Sequence, residues 1–191
     1  MGRKVHRVPV HLDSKGIKPL SESKIALILR GADELIMTGG RTLLAKILKG
    51  SKEKRLLELE LHKSPAYGAL RDISLDQVMA RIDWLIINGY LGIEYDYRLP
   101  MLVYTRKGWE IEKETFAAEK LAMLDRQLEE DPDNTYEWLN DMNPKVIHRI
   151  LDMIADSGDS KYSQALEQWR GSASRKVRSR IHGILKDLGE R

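Results

Sequence analysis

The stretch GYLGIEYDYRLPMLVYTRKG, Gly89 to Gly108, decides how the chain is read, because it breaks with the helical patterning on either side. Upstream, Ser74 and Gln77 have the spacing of a capping box, and Leu75, Val78, Met79, Ile82, Leu85 and Ile86 follow a 3.6-residue repeat. That predicts a helix with one buried face, which Gly89 ends. Leu91, Ile93 and Tyr95 then alternate with Gly92, Glu94 and Asp96, the period-two signature of a strand, and Met101 to Thr105 returns as a second strand. Asp96 to Pro100 is the expected turn. A hairpin launched from a helix end, after a few helices, is the layout of a winged helix.

Three helices are expected before that point. The first runs from about Ser21 to Met37 on a stripe of Ile25, Ile28, Leu29, Ala32, Leu35 and Ile36 and is stopped by Gly39 and Gly40. The second spans Arg41 to Leu48 and ends at Gly50; the third is capped by Ser51 and passes through Leu56 and Leu57. Beyond the hairpin, Trp109 to about Glu130 predicts a long helix. It carries an acidic belt (Glu110, Glu112, Glu114, Glu119, Asp125, Glu129, Glu130) that continues through Asp131, Asp133 and Glu137. The chain then changes character. Asn143 and Pro144 open a helix carrying Val146, Ile147, Ile150, Leu151 and Ile154 up to Gly158, a further helix carries Tyr162, Leu166 and Trp169, and a last one Val177, Ile181, Ile184, Leu185 and Leu188. These short antiparallel helices resemble a HEAT-like pair. The expected fold is therefore mainly α. It comprises a basic extended leader (1–20), a winged helix with a β-hairpin wing (21–112), an acidic connecting helix (113–132) and a small α-helical module (133–191).

Composition narrows the chemistry. Charged residues make up 32% and hydrophobic residues 42%, as in an ordinary globular protein. Cysteine is absent, which removes disulfides, thiol nucleophiles and cysteine-ligated zinc and fits a reducing compartment. Apolar runs such as Ile82 to Ile87 are short and broken by Asp83, and the basic start has no apolar core behind it. The expectation is a cytoplasmic protein without a membrane partner. No G-x-x-x-x-G-K-[ST] or G-x-S-x-G string occurs, and His6, His11, His62, His148 and His182 stand singly. No catalytic residue, metal or cofactor is expected.

The net charge of +3 is small, but its placement is uneven. A leader segment (Arg3, Lys4, Arg7, Lys15, Lys18), a middle one (Arg41, Lys46, Lys49, Lys52, Lys54, Arg55) and a C-terminal one (Arg170, Arg175, Lys176, Arg178, Arg180, Lys186) are basic. The acidic belt repels phosphate, so a DNA-facing surface should exclude it.

A more specific signal runs from Gly39 to Gly108. In order come Leu48-Lys49-Gly50-Ser51 with Arg55 shortly after, the Tyr67-Gly68 loop, Asp72 and Ser74, Leu85-Ile86 with Gly89-Tyr90-Leu91, and a hairpin ending in Thr105 and Gly108. Together these resemble the RQC domain, the winged-helix module that follows the motor of RecQ-family DNA helicases. The chain looks like a stand-alone RQC protein of the RQC-minor type. The motor and the four-cysteine zinc module of those helicases have no counterpart in the sequence, so the resemblance implies DNA binding and not unwinding.

The resemblance also points to residues. The Gly-Ser step of RQC domains touches the DNA backbone, which carries over to Lys49, Ser51 and Arg55; a helix start at Ser51 would favour an anion, with Lys52 and Lys54 beside it. The wing of an RQC domain meets a duplex end or branch, which implies contacts from Tyr95, Tyr97 and Arg98, since stacking a base on an aromatic ring contributes roughly 1 to 3 kcal/mol. The alternative is that the basic turn is solvated and the tyrosines pair across the hairpin. For Tyr90 and Tyr104, and for the tryptophans, packing is the expectation. The helix after Ser74 presents Gln77, Arg81, Trp84 and Asn88 beside Asp76 and Asp83, which argues against reading a major groove. The expected function is a non-enzymatic protein that recognises a fork, junction or duplex end in repair, recombination or replication, with DNA and a helicase or other repair protein as partners. A winged-helix transcription regulator and a protein-interaction adaptor are the alternatives.

Overall fold

The structure is a computed structural model that describes residues 6–131 and 135–189. Arg3 and Lys4 of the leader and Asp133 of the acidic belt lie outside the described residues. The chain divides into two compact units, Met1–Glu112 and Lys113–Arg191.

In the first unit, α1 (Glu22–Ala32) buries Ile25, Ile28, Leu29 and Ala32, and a single 3-10 turn (Asp33–Leu35) follows it. The helix is thus shorter than the expected Ser21–Met37. The reason lies in the backbone beyond Leu35. The Met37 N–H donates to Leu102 O and the Leu102 N–H to Gly39 O, both at 2.9 Å, and Ile36 bridges Leu102 in parallel. Ile36 therefore forms a single bridge beside the hairpin and Met37 turns at φ 60°, so their apolar side chains continue the helical stripe without continuing the helix.

The next two helices, α2 (Arg41–Lys49) and α3 (Lys54–Glu58), bury Leu44, Ala45, Ile47, Leu48 and Leu56, and α4 (Leu75–Ile87) adds Val78, Ile82 and Leu85 to the same core. The Ser74–Gln77 capping box is fully formed, each side chain serving the other's backbone N–H. The hairpin follows as β1 (Leu91–Asp96) and β2 (Leu99–Tyr104), antiparallel, with Leu91 opposite Tyr104 and Asp96 opposite Leu99. Only Tyr97 and Arg98 remain as the turn, tighter than the five residues expected from Asp96 to Pro100. Pro100 is accommodated because each strand of a two-stranded sheet is an edge. Leu91 and Leu102 point into the helical core. This is a winged helix.

Helix α5 (Arg106–Glu130) starts three residues before the expected Trp109, and the Thr105 hydroxyl explains the start. It accepts the Gly108 N–H at 3.1 Å and donates toward Gly89 O and Tyr90 O. Gly108 itself is fixed by space: a Cβ there would lie 1.9 Å from Tyr90 O.

The second unit contains α6 (Pro144–Ser157), α7 (Ser163–Ser172) and α8 (Arg175–Gly189). Asn143 caps α6 through the Lys145 N–H with Pro144 in the first turn, and Gly158 ends the helix in the left-handed region at φ 60°. Val146, Ile150, Leu151, Ile154, Leu166, Trp169, Val177 and Ile181 form its interior. The Trp169 indole donates to Asn140 at 2.8 Å. The unit is helical, as the HEAT-like resemblance implied. Tyr162 sits in a 3-10 turn ahead of α7, and its hydroxyl donates to Asp125 at 2.7 Å. Burial, then Asp125, pushes its phenol up to about 12.

Candidate nucleic-acid interface

Two turns of the first unit carry the expected site residues. The first joins α2 to α3. Gly50 ends α2 in the left-handed region at φ 70°, where a non-glycine residue is disfavoured, and its N–H returns to Lys46 O and Ile47 O. A Cβ on Gly50 would also lie 3.0 Å from the Cα of Gly68. The two glycine motifs are thus packed back to back. Three further bonds fix the joint: Gly68 N–H to Ile47 O at 2.9 Å, Leu70 N–H to Leu48 O at 2.8 Å, and Tyr67 hydroxyl to Ser51 O at 3.0 Å.

This joint engages two expected contact residues in the fold. Ser51 does not cap α3: Glu53 occupies the N-cap, and the Ser51 hydroxyl accepts the Glu53 N–H at 3.3 Å in the approach to the helix. Helix α3 is also only five residues long, too short for an appreciable dipole at its start. The Lys49 ammonium donates to Arg71 O at 2.6 Å and to Ile73 O, tying the loop before α4 to the end of α2. One N–H of three is left over. Lys54 is solvated, 3.5 Å from Glu58, and Lys46 pairs with Glu53 at 2.7 Å. Lys52 and Arg55 are exposed and have no side-chain partner among the described residues.

The second turn is the tip of the wing. Tyr97 holds φ 51° and is 72% exposed, while Leu99 beside it is 56% exposed. Their neighbours are already engaged. The leader lies along the hairpin: the Val8 N–H donates to Arg98 O at 3.0 Å, the Tyr95 hydroxyl to Val8 O at 2.9 Å, and Arg98 Nε to His6 O at 2.9 Å. The Arg7 guanidinium stands over the Tyr95 ring, 4.9 Å from its centroid. Tyr95 and Arg98 therefore anchor the leader, and Tyr97 is the tyrosine of the wing left open. The leader's basic residues were visible in the sequence, but nothing there signalled that Arg7 would lie on the wing, nor that Leu99 would stand exposed.

The two turns meet. A cleft of about 300 Å³ is lined by Gly40, Lys46 and Arg55 on the helical side and by Leu99, Pro100 and Met101 of β2. A Cβ on Gly40 would come within 2.9 Å of Pro100 O, so the start of α2 lies close against the wing.

Helix α4 differs from its expected role in one respect. Asp83 does not oppose DNA from an exposed face: it is 4% exposed, ion-paired with Arg41 at 2.6 Å, and accepts the Asp13 N–H at 2.9 Å. Together with Lys15 on Asp76 at 2.9 Å, this holds the leader against α4. Two of the helix's other polar side chains bond its own backbone. Arg81 donates to Gln77 O, and the Asn88 amide to Trp84 O. Near the hairpin base the packing expectation holds. Tyr90 stacks on Trp84 with the Lys107 ammonium over its ring, 3.6 Å from the centroid, and the Tyr104 hydroxyl donates to Leu29 O at 3.0 Å. Burial, with Glu112 and Asp33 nearby, raises the Tyr104 phenol far above its ordinary range.

A short helix bundle, a one-residue parallel bridge and a hairpin wing define a winged-helix protein of the nucleic-acid-binding class. The model of the RQC domain matches residues 24–131, more than half of the chain, and the protein belongs to the RQC domain family. RQC is a DNA-binding, non-catalytic winged-helix domain of RecQ helicases, and DNA binding is the general role it brings. The match runs through α5, so the acidic helix lies within the family's pattern as well. No curated protein and no solved structure matches the chain. No helix among the described residues is long and apolar enough to cross a membrane.

Proposed function

We propose that the protein is a non-enzymatic binder of structured DNA, a fork, junction or duplex end, with Arg55 and Lys52 on the phosphate backbone and Tyr97 against the terminal base pair. One observation carries this reading: Arg55, with no side-chain partner among the described residues, shares a cleft with Leu99 and Pro100, the wing residues that follow the exposed tip at Tyr97. A phosphate held at Arg55 leaves Tyr97 within reach of the end of the same duplex. The state of α4 supports end recognition over groove reading, because Arg81 and Asn88 bond its own backbone and the leader lies across its start. Lys49 and Ser51 serve the DNA face by holding the joint beneath it, and Tyr95 and Arg98 by holding Arg7 on the wing. The functional division of the chain is a leader (1–20), the winged helix (21–112), an acidic connector (113–132) and a helical module (133–191). A helicase or another repair protein is the partner that would supply the motor chemistry in repair, recombination or replication.

Titration against blunt duplex, forked and single-stranded DNA of unrelated sequences, at two salt concentrations, tests this. Forked or blunt-ended DNA is expected to bind best, with a steep salt dependence from released counterions. Arg55→Ala should weaken all three and lower the salt slope by about one. Tyr97→Ala should erase the preference for ends. Selection of one sequence, or equal loss on every DNA from Tyr97→Ala, overturns the reading.

A further inference from the structure

The second unit carries a charged stripe that the wing does not explain. Along α8, Arg175, Arg178, His182 and Lys186 recur at i, i+3, i+7 and i+11, which places them on one exposed face opposite the buried Val177, Ile181, Ile184 and Leu188. With 1.5 Å of rise per residue the stripe is about 16 Å long. Arg175 and His182 have no side-chain partner among the described residues, and Arg178 donates to Ala173 O at 3.0 Å, which holds its guanidinium at the start of the helix. Arg170 of α7 joins Arg175, Arg178, Ser179 and His182 around a shallow groove of about 350 Å³. Asp187, the acid within α8, lies about 100° round the helix from Lys186 and off the stripe.

A glycine supplies the second observation. Gly183 sits inside α8, where glycine is the poorest helix former after proline, and a Cβ there would meet nothing within 4 Å. No packing within the chain requires it. It lies beside Ser179 and Lys186, so the backbone is bare at the edge of the cationic stripe, the arrangement that lets another chain's backbone come close.

We infer that this face of α8 is a second nucleic-acid contact, taking the phosphodiester backbone of a DNA strand. An acidic protein surface is the competing occupant, and the stripe lacks what such an interface uses. Its exposed row is made of cations, a serine, a histidine and a bare backbone, with the half-buried Leu185 at its edge and Arg170 paired with Glu167 at 2.7 Å beside it, and it offers no large apolar anchor. A strand advancing 3.4 Å per nucleotide sets about five phosphates along 16 Å, enough for every cation in the row. Because the RQC domain of the same chain binds DNA, a second contact in this unit acts at high effective concentration.

The test uses the full chain on a long duplex over a series of salt concentrations. Arg175→Ala/Arg178→Ala is expected to lower affinity and to reduce the log–log salt slope by about two, with a small fall in melting temperature from the lost Arg178–Ala173 bond. Gly183→Ala is expected to raise the melting temperature yet weaken DNA binding, an opposition that a merely solvated face does not produce. Unchanged affinity and slope in both variants overturn the inference, also where the double variant instead loses an acidic protein partner. Arg55→Ala measured alongside separates the two sites: loss only with Arg55→Ala leaves the wing reading and removes this one, and loss only with the α8 variants does the reverse.

Discussion

The turn after α2 and the turn at the wing tip both carry residues suited to DNA, and the fold treats them in opposite ways. At the first turn the motif folds inward: Gly50 packs on Gly68, the Tyr67 hydroxyl bonds Ser51 O, and Lys49 spends two N–H groups on Arg71 O and Ile73 O. At the second the flanking residues are tied down by the leader and the central one stands out, with Tyr97 72% exposed. Cations and rings at motif positions therefore differ in how far the fold has engaged them. What matters is whether a nearby carbonyl has already claimed their donors. At these two turns Lys52, Arg55 and Tyr97, the residues proposed for DNA, are ones for which none has.

The largest effect should come from the inward turn. Gly50→Ala places a Cβ in a left-handed position, costing about 1 to 2 kcal/mol, and presses it on Gly68, costing about 1 to 3 more. Chemical denaturation should show a fall in midpoint; a change under 1 kcal/mol would mean the joint is slack. Lys49→Met keeps the aliphatic stem and removes the ammonium, and should cost about 1 kcal/mol for two lost charge-assisted hydrogen bonds whose carbonyls partly regain water. If Lys49→Met instead leaves stability intact and abolishes DNA binding, the contrast between the two turns is wrong at Lys49. The smallest effect belongs to the tip. Tyr97→Gly relieves a strained φ of 51° but frees the unfolded chain, for a net gain near 0.5 kcal/mol, and should still lose preference for DNA ends. Destabilisation there would show that Tyr97 packs and is not free to stack.

The elements were largely legible in the sequence, since capping pairs, glycine stops and the switch from period 3.6 to period two are local signals. The differences are instructive. Ile36 prolongs a helical stripe yet bridges Leu102, Ser51 precedes a helical pattern yet leaves the N-cap to Glu53, and Asp83 looks exposed yet pairs with Arg41. For Ile36 and Asp83 a partner far along the chain outcompetes the local preference, while at Ser51 the Tyr67 hydroxyl holds the carbonyl and the serine hydroxyl is left with the Glu53 N–H. The candidate site shows the same division, for residue types marked both turns but only contacts across tens of residues sorted anchors from free groups.

By itself the sequence determined the helices, the hairpin, the two glycine steps and the cationic segments, because each follows from backbone freedom or side-chain periodicity within a few residues. Tertiary structure alone decided that Arg55 and the wing line one cleft, that the leader occupies Tyr95 and Arg98, and that Lys49 serves the fold. Those outcomes depend on which carbonyls and carboxylates packing brings within hydrogen-bonding distance, and that distance is set by the whole core.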